Sequence, residues 1–317
     1  MNKKLIWEKL GRIISADKNF SWMATCTGPS FAVQINDTSL FDIYITGRDA
    51  HNRSQIGKAV LDIEDLQRPM RIQDLVVFDV GELGCFDENG VSYPVIVEHN
   101  GLRYMYYVGW VPTVLTPFQN FTGLATAPTG TDNFTRVSRA PILERTNAEP
   151  FSSGSVYVMQ ENGLWRMWYT SFLRWGGAGE HKHYYVIKYA ESIDGIHWQR
   201  DGKICIDIEN ASEYAIGRPS VFKYNNQYYM WYVYRGDEYR IGFAMSDDGI
   251  EWKRMDHLAG IDVSKQRTWD SNAISYPHVF PHKDYLYMLY CGNDYGREGL
   301  GLARMALSNL TTCNESI

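Results

Sequence analysis

The chain has 317 residues, with 37 acidic and 31 basic side chains and a formal net charge of −6. This mild acidity disfavours a nucleic-acid partner, which usually requires a basic face. Glu8, Lys9 and Arg12 interrupt the apolar residues near the N-terminus, so we predict no secretory signal there. No stretch approaches the roughly 18 apolar residues of a transmembrane helix, so no membrane span is predicted.

The five cysteines are odd in number and scattered, at Cys26, Cys85, Cys205, Cys291 and Cys313. None belongs to a C-x-x-C pair, so the sequence indicates neither a zinc site nor a disulfide framework. Reduced thiols are typical of cytoplasmic proteins. We therefore predict a cytoplasmic protein without a cofactor or bound metal; the sequence does not define its oligomeric state.

The first predicted element in chain order is a short helix near residues 5–14, which either closes or caps the fold. An aromatic strand then recurs five times at intervals of about 60 residues. Its five copies are LFDIYI around Ile43, LRYMYY around Met105, LWRMWY around Met167, QYYMWY around Met230 and YLYMLY around Met288. Such regular recurrence predicts five copies of one structural unit.

Each aromatic strand has strand-like neighbours on both sides. The preceding strand is opened by proline in four repeats, at Pro29, Pro94, Pro219 and Pro277. Two of the following strands continue into the motif S-x-D-G-x-x-W. Its Asp-Gly pair is typical of a tight hairpin turn, so we interpret the motif as structural. Each repeat therefore holds about four short strands, which cannot bury both faces alone.

Radial packing of five such sheets predicts an all-β fold, a five-bladed β-propeller with four antiparallel strands per blade. We expect one domain over residues 1–317. The predicted blades cover roughly residues 20–75, 76–145, 146–208, 209–262 and 263–310.

Two phrases of the same pattern, FDENGVSYP and WDSNAISYP, occupy the same place in blades two and five. Both lie on the loop that leads into the innermost strand, and in a propeller these loops converge around the axis. The equivalent loops of blades three and four also carry a carboxylate, whereas blade one has Trp22. The four candidate catalytic carboxylates are Asp87, Glu149, Glu213 and Asp270.

Such a ring of carboxylates suits cleavage of a glycosidic bond, which needs one protonated and one ionised carboxyl group. We assign the ionised role to Asp87 or Asp270, and proton donation to Glu213 or else Glu149. The alternative is that Asp-x-Asn forms turns and the glutamates are solvated.

Aromatic walls stack on sugars, and polar side chains bind hydroxyl groups. The predicted substrate-binding residues are Arg48, Asp49, Arg53, Glu88, Asn89, Tyr93, Trp110, Trp175, Arg218, Trp269, Asn272 and Tyr276. A carbohydrate is the predicted partner. Three rivals stay open: a transferase whose arginines bind a phosphate-bearing donor, a non-catalytic glycan-binding module, and a structural interaction propeller.

The five repeats, the Pro-opened strands and the S-x-D-G-x-x-W turns resemble the five-bladed propeller glycosidases. That superfamily contains invertases, levansucrases, arabinanases and β-xylosidases. The phrases GRDAHNRS, FDENGVSYP, YAIGRPSV and WDSNAISYP are also similar to a bacterial branch associated with surface-polysaccharide genes. The resemblance covers nearly the whole chain and implies a glycoside hydrolase.

The resemblance also implies an Asp in blade one, an Asp in blade two and a Glu in blade three. Asp87 and Glu149 lie upstream of the latter two places. Blade one has Thr25 and Thr27 instead, so either another carboxylate such as Asp49 or Asp270 serves, or the usual hydrolysis does not occur. Many members of the superfamily hold an axial cation, for which only His278 is a hint.

Overall fold

The structure, a computed structural model, describes residues 5–177, 180 and 182–310. Regular structure in these ranges is almost entirely β, which confirms the predicted all-β class. Short helical segments occur at Ser21–Met23, Asp256–Leu258 and Asn293–Gly296. No helix in the described ranges is long and apolar enough to cross a bilayer.

The described strands form one four-stranded and two eight-stranded sheets. Antiparallel pairing within these sheets defines five four-stranded units, and one parallel pair each, Ser54 with Gly90 and Tyr185 with Ala215, joins units one and two and units three and four. Unit one contains β2 (Cys26–Gln34), β3 (Leu40–Arg48), β4 (Ser54–Asp62) and β5 (Arg71–Ile72). Unit two contains β6 (Gly90–His99), β7 (Leu102–Pro112), β8 (Phe118–Pro128) and β9 (Thr135–Arg136). Unit three contains β10 (Ser153–Glu161), β11 (Leu164–Trp175), β12 (His183–Ser192) and β13 (Ile204–Ile206).

The last two units differ in how their fourth strand is supplied. Unit four contains β14 (Ala215–Tyr224), β15 (Gln227–Arg235), β16 (Tyr239–Ser246) and β17 (Lys253–Arg254). Unit five contains β18 (Ser275–His282), β19 (Tyr285–Cys291), β20 (Leu300–Ala306) and, from the other end of the chain, β1 (Glu8–Ile14).

The N-terminal segment is therefore a strand, and the prediction of a helix near residues 5–14 was wrong. Strand β1 pairs antiparallel with β20, where Lys9 lies opposite Ala303 and Arg12 opposite Gly301. This long-range pairing overrides the weak local helical pattern. It joins the beginning and the end of the chain in one sheet.

The first strands of the five units lie next to one another in cyclic order. Strand β2 contacts β6, β6 contacts β10, β10 contacts β14, β14 contacts β18, and β18 contacts β2. Each of these strands also contains a β-bulge, which locally redirects the backbone and its side chains. The bulges therefore occur at the same level around a common axis.

Three of the bulges hold a large side chain in an unfavourable backbone conformation. Tyr93, Arg218 and Tyr276 have φ values of 55°, 48° and 56°, and each precedes a proline. A non-glycine residue in this region costs about 1–3 kcal/mol and persists only where the surrounding structure imposes it. The fold thus fixes the direction of these three side chains.

The recurring aromatic strands form the second strand of every unit and supply the hydrophobic core. Their central residues, Ile43, Met105, Met167, Met230 and Met288, are all fully buried. The predicted Asp-Gly turns are structural. In the first of them, the Asp194 carboxylate accepts hydrogen bonds from the backbone N–H groups of Ile196 and His197.

We expect Trp7 to anchor the N-terminal segment to unit four. Trp7 is 5% exposed and packs edge-on against Trp231 with ring centroids 5.5 Å apart, whereas its neighbour Ile6 is 68% exposed. Trp7→Ala should lower the free energy of unfolding by about 3–5 kcal/mol, because it opens a cavity in the core. Ile6→Ala, the matched control, should change it by less than about 0.5 kcal/mol. Urea unfolding measures both, and equal stability of the two variants would contradict the anchoring role.

Candidate functional site

A cavity of about 440 Å³ lies where the five units meet, and residues of every unit line it. All five bulges contribute a lining residue: Gly28, Tyr93, Gly154, Arg218 and Tyr276. At the two glycines the backbone lies close to Thr46 and Thr170, whereas the other three units place a large side chain at this position. A volume of this size suits a small ligand such as a sugar.

Five of the predicted substrate-binding residues line this cavity, namely Arg48, Tyr93, Trp110, Arg218 and Tyr276. The Arg48 guanidinium lies 5.0 Å from the ring centroid of Trp110, within cation–π distance. It also donates hydrogen bonds to the backbone and side-chain oxygens of Asn52. Strand β3 thus ends with an arginine held against an aromatic wall.

Four tyrosines gather in the same cavity: Tyr93, Tyr185, Tyr239 and Tyr276. The hydroxyl oxygens of Tyr185 and Tyr239 are 2.6 Å apart, and the rings of Tyr93 and Tyr276 meet edge-on. Burial raises the pKa of all four phenols, that of Tyr239 to about 12. They therefore stay neutral and offer O–H groups to a polar ligand.

Arg218 is 2% exposed yet lines the cavity. Its Nη2 donates a 2.9 Å hydrogen bond to the carbonyl oxygen of Ser30. Its Nε and Nη1 are buried without a hydrogen-bond partner. Burial lowers the pKa of this guanidinium to about 10, so it remains charged at neutral pH.

The charge of the lining is mainly positive. Arg48, Arg218 and Arg297 face it, and Asp294 is the one carboxylate that the described lining contains. Asp294 is exposed and lies 3.5 Å from Arg297. Burial raises the pKa of Cys26 to about 11, and Arg48 and Arg297 both oppose that rise, so both arginines lie on the Cys26 side of the cavity.

The four predicted catalytic carboxylates all lie outside the cavity lining, each in its own ion pair. Asp87 accepts hydrogen bonds from Arg136 at 2.7 Å and Tyr107 at 3.0 Å. Glu149 accepts them from Tyr169 at 2.8 Å, Lys188 at 2.8 Å and Arg200 at 2.7 Å. The structure does not bring these carboxylates together as a catalytic pair.

The other two carboxylates follow the same plan. Glu213 accepts hydrogen bonds from both terminal nitrogens of Arg254 at 2.9 Å. Asp270 accepts hydrogen bonds from Lys9 at 2.7 Å and from the Tyr290 hydroxyl at 3.1 Å. Burial alone would raise the pKa values of Glu149, Glu213 and Asp270, but hydrogen bonds from their partners outweigh it and lower them. A proton donor needs the opposite shift.

These contacts define a recurring carboxylate tie: an acidic residue on the loop before the first strand, bound to a cation and, except at Glu213, to a second-strand tyrosine. In unit one Trp22 stands in its place, and its indole N–H donates to the carbonyl of Gln73. The cation comes from the fourth strand at Arg136, Arg254 and Lys9. The tie therefore connects loop and sheet in four of the five units.

The remaining predicted binding residues also lie outside the lining. Asp49 and Arg53 form an ion pair at 2.9 Å, and Glu88 accepts the backbone N–H of Gly84. Trp175 packs against Phe118, and Trp269 stacks on Tyr290. Asn89 and Asn272 lie on the loops that lead into β6 and β18.

Several lining residues were missed because the prediction considered mainly the loops before the first strands. The missed residues include Asn52, Phe118, Asn120, Phe172, His183, Tyr185, Tyr239, Asp294 and Arg297. The phrase GNDYGRE after the fifth aromatic strand was the available signal for Asp294 and Arg297.

Metal ligands do not cluster in the structure. Within the described ranges, no group of three His, Cys, Asp or Glu side chains is arranged to hold a metal ion. His278 stacks on Phe31 at 4.0 Å, and burial and the charge of Arg218 lower its pKa. The four described cysteines are free thiols, and Cys313 lies outside the described residues.

Comparison with known proteins places relatives over the whole chain. The protein is 38% identical over 300 residues to MT1551 and to Rv1502, two uncharacterised proteins of Mycobacterium tuberculosis, covering 94% of this chain and 99% of each relative. Residues 155–291 match the glycoside hydrolase family 130 model, described as β-1,4-mannooligosaccharide phosphorylase. A 1,2-β-oligomannan phosphorylase of Thermoanaerobacter is 32% identical over 134 residues, or 38% of this chain and 43% of that protein.

Solved structures share the fold at low identity. One of them is described as belonging to the family 130 mannoside phosphorylases, a family that contains hydrolases of β-1,2-mannosidic linkages. It has a TM-score of 0.70 at 15% identity, and the match covers 95% of this chain and 94% of that chain. A thermostable family 43 glycoside hydrolase has a TM-score of 0.64 at 15% identity, with 88% of each chain covered. Together these findings support a carbohydrate-active enzyme that acts on glycosides.

We expect the tie at Asp270 to stabilise the fold and to lose strength in acid. Lys9→Met should lower the free energy of unfolding by about 3–5 kcal/mol at pH 7, because it leaves a buried carboxylate unpaired. Since the pKa of folded Asp270 is depressed, the contribution of the pair is present above the unfolded pKa of about 3.9 and disappears as pH falls through the folded pKa.

Denaturant unfolding from pH 7 down to pH 3 measures this contribution. The exposed Lys18→Met variant serves as the control. A stability difference between wild type and Lys9→Met that grows in acid would contradict the assignment.

Proposed function

The chain belongs to the family of the mycobacterial proteins MT1551 and Rv1502, and on that premise we propose that it cleaves a mannoside by phosphorolysis in the axial cavity. We also propose that the five units are the blades of a single-domain, five-bladed propeller. The cytoplasmic location remains a prediction. Hydrolysis, transfer to another acceptor and binding without turnover are the alternatives that the assay below separates.

In phosphorolysis, inorganic phosphate takes the place of water as the nucleophile. An oxygen of inorganic phosphate forms a bond to the anomeric carbon, the glycosidic carbon–oxygen bond breaks, and the leaving oxygen takes one proton. The products are a glycosyl phosphate and a sugar with a free hydroxyl. The reaction needs one proton donor and a cationic cradle, whereas the usual hydrolysis needs two carboxyl groups at the bond.

The observation that carries the proposal is the charge of the cavity lining, with three arginines against one described carboxylate. A pair of carboxylates for hydrolysis is missing from the described lining because the four predicted acids are held in ion pairs elsewhere. Guanidinium groups suit phosphate because their planar N–H forks match its oxygens.

We assign the phosphate to the rim arginines, defined as Arg48 and Arg297. Both lie near Cys26, and neither is buried. Arg48 is held in place by Trp110 and Asn52, so it is oriented before the ligand arrives. We assign proton transfer to the leaving oxygen to Asp294 because it is the one carboxylate in the described lining, and phosphate bound by Arg297 would compete with Asp294 for that cation.

An aromatic group in the cavity lining suits the sugar. Phe118, Phe172 and Tyr185 lie there, with Phe172 and Tyr185 rings 5.0 Å apart. Aromatic faces stack on the apolar face of a sugar ring, and the neutral phenols and Asn120 offer hydrogen bonds to hydroxyls. The family description and the name of the Thermoanaerobacter relative support a β-mannoside as the sugar.

Incubation of the protein with β-1,2- and β-1,4-mannobiose, with and without inorganic phosphate, tests the proposal. We expect mannose 1-phosphate, measured by anion-exchange chromatography, only when phosphate is present. Asp294→Asn should lower kcat by about 100-fold or more, because it removes the proton donor. Asp65→Asn, at an exposed loop position, should leave kcat unchanged. Free mannose released equally without phosphate would indicate hydrolysis, and saturable binding without turnover would indicate a binding module.

Loss of a rim arginine should weaken phosphate binding more than sugar binding. Arg297→Met is expected to raise KM for phosphate by about 10-fold or more, since one charge-assisted contact to phosphate is worth about 1.5–3 kcal/mol. KM for the mannoside should change little. Arg53→Met is the matched control, because Arg53 pairs with Asp49 outside the lining. Equal effects of the two variants on steady-state kinetics would contradict the cradle.

A further inference from the structure

One buried cation differs from all the others in the described part of the chain. Four Lys or Arg residues are buried there: Lys58, Arg103, Lys188 and Arg218. Lys58 pairs with Asp42 and Asp132, Arg103 with Glu98, and Lys188 with Glu149. Arg218 is the most buried of the four and has no such carboxylate among the described residues.

The groups that face Arg218 do not neutralise it. Its electrostatic neighbours are the phenols of Tyr93, Tyr157 and Tyr276 and the thiol of Cys291, and burial raises the pKa of each. These groups are therefore uncharged at neutral pH. Nearby His278 is also neutral, because its pKa is lowered. A buried charge without a partner is costly, and such charges are normally paired or ligand-bound.

The fold nevertheless holds Arg218 in one orientation at the cavity. Its backbone adopts a positive φ at the bulge of β14, and the hydrogen bond to Ser30 fixes one end of the guanidinium. The two other nitrogens have no partner in the protein. Arg218 is one of the residues that line the cavity. Strained, unsatisfied groups of this kind are typical of ligand sites.

The location of Arg218 also separates it from the proposed phosphate cradle. The rim arginines are exposed or half-buried and lie near Cys26 and Asp294, whereas Arg218 is almost completely buried between Tyr93 and Tyr157. Asp294 is already close to Arg297. Arg218 is therefore a second cation, more buried than the rim arginines, in the same cavity lining.

We propose that the sugar bound in this cavity carries its own anionic group, a carboxylate or a phosphate ester, which pairs with Arg218. The inference rests on the proposed function for the identity of the cavity as a sugar site. It adds that the substrate is an acidic glycoside. The anionic substituent supplies the counter-charge that the protein does not provide.

Isothermal titration calorimetry in phosphate-free buffer tests whether Arg218 pairs with an anionic group of the sugar. The probes are mannose, mannuronic acid, mannose 6-phosphate and inorganic phosphate. At least one of the two anionic sugars should bind wild type 10-fold or more tightly than mannose, and which one does so identifies the carboxylate or the phosphate ester. Arg218→Met should abolish this preference, and Arg218→Lys should retain part of it. Equal affinity for neutral and anionic sugars would overturn the proposal. So would loss of inorganic phosphate binding in Arg218→Met without any loss of sugar preference, because Arg218 would then hold the co-substrate.

Thermal unfolding without ligand provides a readout that does not depend on binding or turnover. Arg218→Met should have a Tm equal to or above that of wild type, because it removes an unpaired buried charge. Arg103→Met, the matched control, should have a lower Tm because it leaves Glu98 without its cation and removes one of the two cations that pair with Asp132. A large fall in Tm for Arg218→Met would show that the charge is satisfied within the protein and would overturn the proposal. Phosphate-independent cleavage of an acidic glycoside would refute phosphorolysis while supporting this inference.

Discussion

The carboxylate tie is the interaction on which the arrangement of the molecule depends. Four of the five units place an acidic side chain on the loop before the first strand and neutralise it with a cation. A buried carboxylate requires such partners, so each loop is fixed to its own sheet before any ligand is considered. The loops in turn set the position of the bulges that face the axis. The same pairing keeps these carboxylates outside the cavity lining, which contains three arginines.

The electrostatics of the protein thus fall into two zones. In the units, acidic and basic groups satisfy each other, and the pKa values of Glu149, Glu213 and Asp270 stay low. At the axis, cations outnumber described carboxylates, and the tyrosines remain neutral. Relatives of this fold include both phosphorylases and hydrolases by their descriptions. A lining with this charge favours a reaction in which an anion is the nucleophile.

Much of the fold could be predicted from the sequence because its repeat is local. The aromatic strands, the Asp-Gly turns and the prolines recur at fixed positions, and the pairing of β2, β3 and β4 follows from short connections. Strand β1 could not be predicted in this way, because its partner β20 lies at the other end of the chain. Arg218 was selected from its place before Pro219, and it lines the cavity because the bulge is part of the repeat; its role in binding stays a prediction.

The candidate site was harder to predict because its contacts join residues that are far apart in the sequence. The spacing that identified Asp87 and Asp270 is real, but it does not reveal the cations that neutralise them. Lys9 is 261 residues from Asp270 in the sequence. Asp294 and Arg297 lie in the connection between the second and third strands of unit five, whereas the prediction selected mainly residues on the loops before the first strands.

The central claim is that a glycosyl phosphate binds among the arginines of the axial cavity and not at the carboxylate ties. A crystal structure of the protein with mannose 1-phosphate bound tests this most directly. The account predicts phosphate oxygens within hydrogen-bond distance of Arg48 and Arg297 and a sugar ring against Phe118 and Phe172. A sugar seated against Asp87, Glu213 or Asp270, with the ion pair of that residue broken, would contradict it.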